Sequence, residues 1–130
     1  MKCLNKVMII GSVGREPEMR YMPSGRAVTS FSVATTRSWT NAEGQRREGT
    51  EWFNVIAGGN LAEICKQHLH KGQPVYVEGR LQTRQWEDSE GKKCFRTEVV
   101  AEEMIVMGNR RAAVETAEFT AGDGGEEFPF

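Results

Sequence analysis

From Val75 to Trp86 the chain alternates with a period of two, and this constrains its fold more than any other feature. Val75, Val77, Gly79 and Leu81 fall on one side, and Tyr76, Glu78, Arg80, Gln82, Arg84 and Trp86 on the other. That period belongs to a strand with one buried and one exposed face. Three other segments read as strands. Asn5 to Val13 holds the apolar run Val7-Met8-Ile9-Ile10, followed by Gly11 and Gly14, which allow a bend or bulge. Ala27 to Ser38 sets Phe31 and Val33 against Val28, Ser30 and Ser32, and Glu51 to Gly58 sets Phe53, Val55 and Ala57 against Trp52, Asn54 and Ile56. Lys92 to Met107 returns as a fifth strand, expected in two segments.

The connections carry their own signals. Met22-Pro23-Ser24-Gly25 and Asp88-Ser89-Glu90-Gly91 read as turns, and the polar stretch Thr40 to Thr50 as an exposed loop. One helix is expected between the third and fourth strands. Asn60 with Glu63 forms a capping-box pattern, Leu61, Ile64, Cys65 and Leu69 make the buried stripe, and Gly72 is the stop. The pattern is all-β: a five-stranded, partly open barrel of the oligonucleotide-binding type carries a helix in that slot. A sandwich is the alternative that pattern alone leaves open. After Gly108 the apolar periodicity stops, so residues 1–108 are expected as one domain, with a disordered acidic C-terminal tail beyond it.

At 130 residues the chain is sized for one such domain. No apolar run approaches the ~20 residues that cross a bilayer, and the start lacks the apolar core of a signal peptide. Cys3, Cys65 and Cys94 lie far apart, which argues against a disulfide scaffold and for a reducing, cytoplasmic setting. The formal net charge of −1 conceals a division: residues 1–111 hold all 17 basic and 13 acidic residues, a balance of +4, whereas residues 112–130 hold five acidic residues and no basic one. A basic body with an acidic tail is an asymmetry found in nucleic-acid binders.

Catalysis has little support. His68 and His70 stand two apart, a spacing that does not turn both to one metal on a helix, and Cys65 with His68 lacks two further ligands. Gly11-Ser12-Val13-Gly14 lacks the third glycine of a dinucleotide loop and the lysine of a P-loop. No cofactor or metal is implied, and no nucleophile has a base. The tryptophans carry more. Trp39, Trp52 and Trp86 each border a polar or charged stretch, and Trp86 shares its strand face with Arg80 and Arg84. Exposed rings interleaved with guanidinium groups suit unpaired bases, which stack on the rings while cations track the phosphates. Arg37, Arg80, Arg84, Arg20 and Lys6 are the candidate phosphate contacts. The last eight residues, Asp123-Gly124-Gly125-Glu126-Glu127-Phe128-Pro129-Phe130, form a compact ligand for a basic pocket with an apolar floor.

Asn5-Lys6-Val7, Arg20-Tyr21-Met22-Pro23-Ser24-Gly25, Thr50-Glu51-Trp52, Leu61-Ala62-Glu63, Val75-Tyr76-Val77-Glu78-Gly79, Thr83-Arg84-Gln85-Trp86 and Thr97-Glu98-Val99-Val100 occur in this order. With them the chain resembles the bacterial single-stranded DNA-binding proteins over residues 4 to 107 and again at the tail tip. The resemblance implies an oligonucleotide-binding fold, a homotetramer, and sequence-independent, non-enzymatic binding of single-stranded DNA in replication, recombination and repair. Trp39, Trp52 and Trp86 align with the family's base-stacking aromatics. The tip, Asp123, Glu126, Glu127, Phe128, Pro129 and Phe130, aligns with the segment that recruits replication and repair proteins, with Phe128 where Ile is usual. Residues 109–122 are the linker, shorter than is common, and Gly58 stands where a fourth stacking aromatic is common. The 23 residues from Gly108 to Phe130 give a flexible chain a reach of ~25 Å. The alternatives are a primosome-type or phage-encoded paralogue that anneals or loads, and a metal-dependent enzyme on the same barrel.

Overall fold

The computed structural model describes residues 1–108; the expected linker 109–122 and tip 123–130 lie outside the described residues. The elements run β1 (Val7–Val13), β2 (Glu18–Tyr21), β3 (Ala27–Thr40), β4 (Arg46–Gly58), α1 (Asn60–His68), β5 (Pro74–Glu87) and β6 (Lys93–Val106). Strand β1 pairs on both sides, with β5 through Val7↔Gly79 to Ser12↔Pro74 and with β3 through Ser12↔Ala34 and Val13↔Val33. The ring β1-β5-β6-β4-β3 therefore closes, and the sandwich is excluded. Every pairing is antiparallel except β4 with β6, which run parallel through Val55↔Val99 and Ile56↔Val100. This is the five-stranded barrel with one helix expected of an oligonucleotide-binding fold, closed rather than partly open. β2, which hydrophobic patterning did not reveal, adds a sixth strand outside the ring as the partner of β3.

The inward side chains are those that alternation selects. Phe31 and Val33 of β3, Val55 and Ala57 of β4, Val75 and Val77 of β5 and Val99 of β6 are buried together with Ile9 and Val13. Cys65 of α1 and Leu69 just beyond its end close one end, and Thr29 anchors the helix by donating its hydroxyl to the Ala62 carbonyl at 2.6 Å. Burial pushes the Cys65 thiol up to about 11, because the thiolate would lose its hydration.

Four expectations need correction. First, Asn60 is not the N-cap: Gly59 holds that place at φ 66°, Asn60 begins the helix, and no side chain caps it. Gly59 turns the backbone out of β4 at an angle that L residues avoid, so the bend and the cap fall on one residue. Second, the helix ends at His68, four residues before Gly72, which instead turns the chain back and donates its amide to Val13. Third, Ile64 is exposed and Ala62 takes its place in the buried stripe. At about 100° per residue, Ala62 and Cys65 stand about 60° apart, while Ile64 lies about 100° from Cys65 and about 160° from Ala62.

Fourth, β6 is one strand rather than two. Its register with β5 slips between Glu78↔Glu103 and Gly79↔Ala101, leaving Glu102 as an extra residue. The bulge moves the core-facing positions from Val99 and Ala101 to Met104 and Val106, and that change of phase reads as a break in the sequence.

Phe31 touches the centre of this core, so Phe31→Ala is expected to lower the unfolding free energy by ~3–5 kcal/mol in urea denaturation. A thiol reagent should modify exposed Cys3 in the folded protein and reach Cys65 after denaturation.

Candidate nucleic-acid interface

Two hairpin arms outrun the barrel. The first carries the β3–β4 ladder from Thr35↔Glu51 to Thr40↔Arg46, and the second the β5–β6 ladder from Arg80↔Val100 to Glu87↔Lys93. The stretch expected as a loop from Thr40 to Thr50 is thus mostly strand. Its turn is built like the one at Asp88. The Asn41 Oδ1 accepts from the amides of Glu43 and Gln45 at 2.9 Å, and the Asp88 Oδ1 from those of Glu90 and Lys92 at 2.9 Å. Gly44 (φ 77°) and Gly91 (φ 79°) complete the two turns in the left-handed region. Both faces of the arms meet solvent, so the first arm carries no apolar alternation by which to recognise it.

The indoles lie on these arms and are all exposed: Trp39 40%, Trp52 60% and Trp86 41%. Trp52 stands at the base of the first arm, opposite Ala34. Its ring lies against Gly14, where a Cβ would overlap the indole and the Ser32 hydroxyl. Trp86 stands near the tip of the second arm opposite Cys94, with the Arg84 guanidinium 5.0 Å from its ring centroid. Trp39 stands near the tip of the first arm, its ring against Gly49 and under the Arg37 guanidinium, 4.7 Å from the centroid. These separations are cation–π contacts, which hold each ring broadside to its cation.

Alternation decides which rings share a surface. Trp52 and Trp86 both lie on the outer side of the barrel strands, whereas Trp39 has the parity of Phe31 and Val33, the core-facing side lower on β3. The structure therefore brings Trp52 and Trp86 to one face and sets Trp39 on the other side of its ladder. The parallel β4–β6 pairing ends at Val55↔Val99, and beyond it Arg96 pairs with Arg84 across the second arm. Arg96 donates from Nη2 to the Asn54 Oδ1 at 2.9 Å.

Beneath Arg84 lies Glu98, whose side chain is 3% exposed and whose Oε1 stands 3.3 Å from the Arg84 Nε. Oε1 has no aligned hydrogen-bond donor, so the contact is an ion pair. Glu98 thereby fixes Arg84, and Arg84 fixes the face of Trp86.

Neither Arg96 nor Glu98 was among the candidate site residues that the sequence suggested. Both follow only from the β5–β6 register, which the misread break in β6 concealed. The other candidate cations lie elsewhere. Lys6 pairs with Glu78 at 3.2 Å, Arg80 with Glu102 at 3.7 Å, and Arg20 on β2 with Glu18 at 3.6 Å. Glu78 also accepts a 2.6 Å hydrogen bond from the Tyr76 hydroxyl. That bond, with Lys6, holds the Glu78 carboxyl below its ordinary range, and the adjacent carboxylate pushes the Tyr76 phenol up to about 12. Among the described residues no three His, Cys, Asp or Glu side chains gather as a metal site requires, and no helix is long and apolar enough to cross a membrane.

Because Trp52 rests where a Cβ at position 14 would stand, Gly14→Ala is expected to displace the ring. A shift in tryptophan emission without any ligand and a stability loss of ~1–3 kcal/mol would mark it.

The model of the single-strand binding protein family matches residues 4–107. A protein of Neisseria meningitidis serogroup A described as "Single-stranded DNA-binding protein" is 46% identical over 93% of this chain and 70% of its own length. "Single-stranded DNA-binding protein 1" of Chlorobaculum tepidum is 47% identical over 81% of this chain and 65% of its own. Among solved structures, the Plasmodium falciparum SSB in complex with ssDNA superposes with a TM-score of 0.77 at 31% identity, covering 83% of this chain and 98% of that one. A deletion mutant of the Thermus aquaticus single-stranded DNA-binding protein gives a TM-score of 0.73 at 38% identity, covering 82% and 52%. With the barrel, its helix and the indole-bearing arms in place, and with a family match that spans the whole described domain, the chain belongs to the single-strand binding protein family.

Proposed function

We propose that this chain binds and protects single-stranded DNA without regard to sequence, as a non-catalytic factor in replication, recombination and repair. The observation that carries this reading is the outer face, which presents exposed Trp52 and Trp86 together with Arg84 and Arg96. Unpaired bases have free π-faces to lay on the rings, whereas a duplex keeps its bases stacked on one another. The family match and the similarity to a structure with bound ssDNA support it. Trp39 extends the path to the other side of the first arm.

Arg37 and Arg84, already against indoles, are the foremost phosphate contacts. Arg80 and Arg20 serve after leaving their surface carboxylates, exchanges of small cost in water. Lys6 is the weakest of the five, held by Glu78 on the outer side of β1 and β5. That region supports self-association into the tetramer: Met8 and Ile105 are exposed on either side of Ile10 and Tyr76, which pair across β1 and β5. Residues 1–108 would then be the binding domain and 109–122 a linker. Asp123, Glu126, Glu127, Phe128, Pro129 and Phe130 would be the tip that docks replication and repair proteins.

Titration of tryptophan fluorescence with oligo-dT, at low and high salt and beside the matching duplex, tests the reading. Strong quenching by the single strand and none by the duplex is expected, with an affinity that falls as salt rises. Trp52→Ala or Trp86→Ala should weaken binding by ~1–3 kcal/mol, about 5- to 150-fold. Unchanged affinity in both variants would end the reading.

A further inference from the structure

Gly58 ends β4 on the same outer side as Trp52, Asn54 and Ile56, and the place of its missing side chain is occupied. A Cβ there would stand 2.7 Å from the Arg26 Nη2, 2.9 Å from its Cζ and 3.1 Å from its Nε. With Cζ between the two nitrogens in distance, the guanidinium covers the glycine across its flat face rather than with an edge. Arg26 is exposed and takes no part in an ion pair among the described residues, whereas Lys6, Arg20, Arg80 and Arg84 each have a carboxylate. Its backbone is pinned. The Arg26 carbonyl accepts from the Met22 amide at 2.8 Å, closing the turn in which Gly25 (φ 89°) donates to Met22 at 2.7 Å.

We propose that Arg26, laid flat over Gly58, is a base-stacking platform that carries the single strand along β4 beyond Trp52. The inference rests on the proposed binding of single-stranded DNA and adds to it a residue that no indole marks. Gly58 lies six positions along β4 from Trp52, so the two platforms stand ~20 Å apart on one face. A guanidinium is planar, delocalised and weakly hydrated, so its open face stacks on a base while its edge N–H groups reach phosphate. Lysine has the charge but no plane. The side on Gly58 is supported by backbone, and the other is open to solvent, which is the arrangement a stacked base needs.

Affinity for fluorescein-labelled oligo-dT, read by anisotropy, tests this with Arg26→Ala, Arg26→Lys, the double variant Arg26→Gly with Gly58→Phe, and Trp52→Ala and Trp86→Ala as references. Arg26→Ala is expected to weaken binding about tenfold. Arg26→Lys should remain within about twofold of Arg26→Ala, since charge without a plane leaves the platform missing. The double variant should recover most of the loss, because removing the guanidinium frees the space in which a phenyl ring presents its own face. Parent-like affinity in Arg26→Lys would overturn stacking in favour of a phosphate contact. Parent-like affinity in Arg26→Ala beside a weakened Trp52→Ala would remove Arg26 and leave the binding face standing. Parent-like affinity in both tryptophan variants would remove the face itself and the inference with it.

Discussion

Barrel closure by β1 sets the terms for everything else in this molecule. Seven residues, Val7–Val13, have to satisfy β5 along one edge and β3 at the far end, and Gly11 sits at the changeover, where a Cβ would run into the Ala34 backbone. A strand that short admits only a narrow ring. β3, β4, β5 and β6 are 13 or 14 residues long, about twice what the ring uses. Their excess leaves as two arms, and the residues with exposed rings and cations sit mainly on that excess. Inside the ring alternation places Val, Ile and Phe; outside it the same alternation has no core to face.

That division also explains what the sequence discloses. Within the barrel β1, β3, β4 and β5 were legible, because apart from Thr29 the inward side chains of β3, β4 and β5 at alternate positions are apolar. The first arm was not, since Thr35 to Thr50 offers no apolar contrast between faces. A sign was nevertheless present: Asn41-Ala42-Glu43-Gly44 repeats the form of Asp88-Ser89-Glu90-Gly91, which read correctly as a hairpin. The bulge at Glu102 hid the continuity of β6 and with it the position of Arg96 against Arg84. The three tryptophans were legible as exposed rings, but the opposite parity of Trp39 required a continuous β3–β4 ladder that the expected loop had cut.

The surface of the arms and barrel shows how a small domain holds large flat groups in place without burying them. Trp52 is supported by the absence of a side chain at Gly14, Trp39 by its absence at Gly49, and the Arg26 guanidinium by its absence at Gly58. In each case a flat group rests close against backbone, which fixes its plane at little entropic cost. Glu98 provides the other kind of support, a carboxylate beneath Arg84 that orients the cation over Trp86. A buried carboxylate on the face proposed to bind DNA would oppose the charge of the phosphates, so its placement favours order over attraction.

The arms have a dynamic consequence. From Thr36 to Arg46 and from Arg80 to Thr97 no side chain is buried, so little beyond backbone pairing and the two turns holds these segments together. Local opening is least costly where buried apolar contacts are few. The amides near Trp39 and Trp86 therefore belong to units that breathe independently, while those of Phe31, Val55 and Val77 are released only when the whole barrel opens. The surface proposed to meet a flexible polymer is thus the most yielding part of the domain, and a rigid ring would keep its two halves in register while each adapts alone.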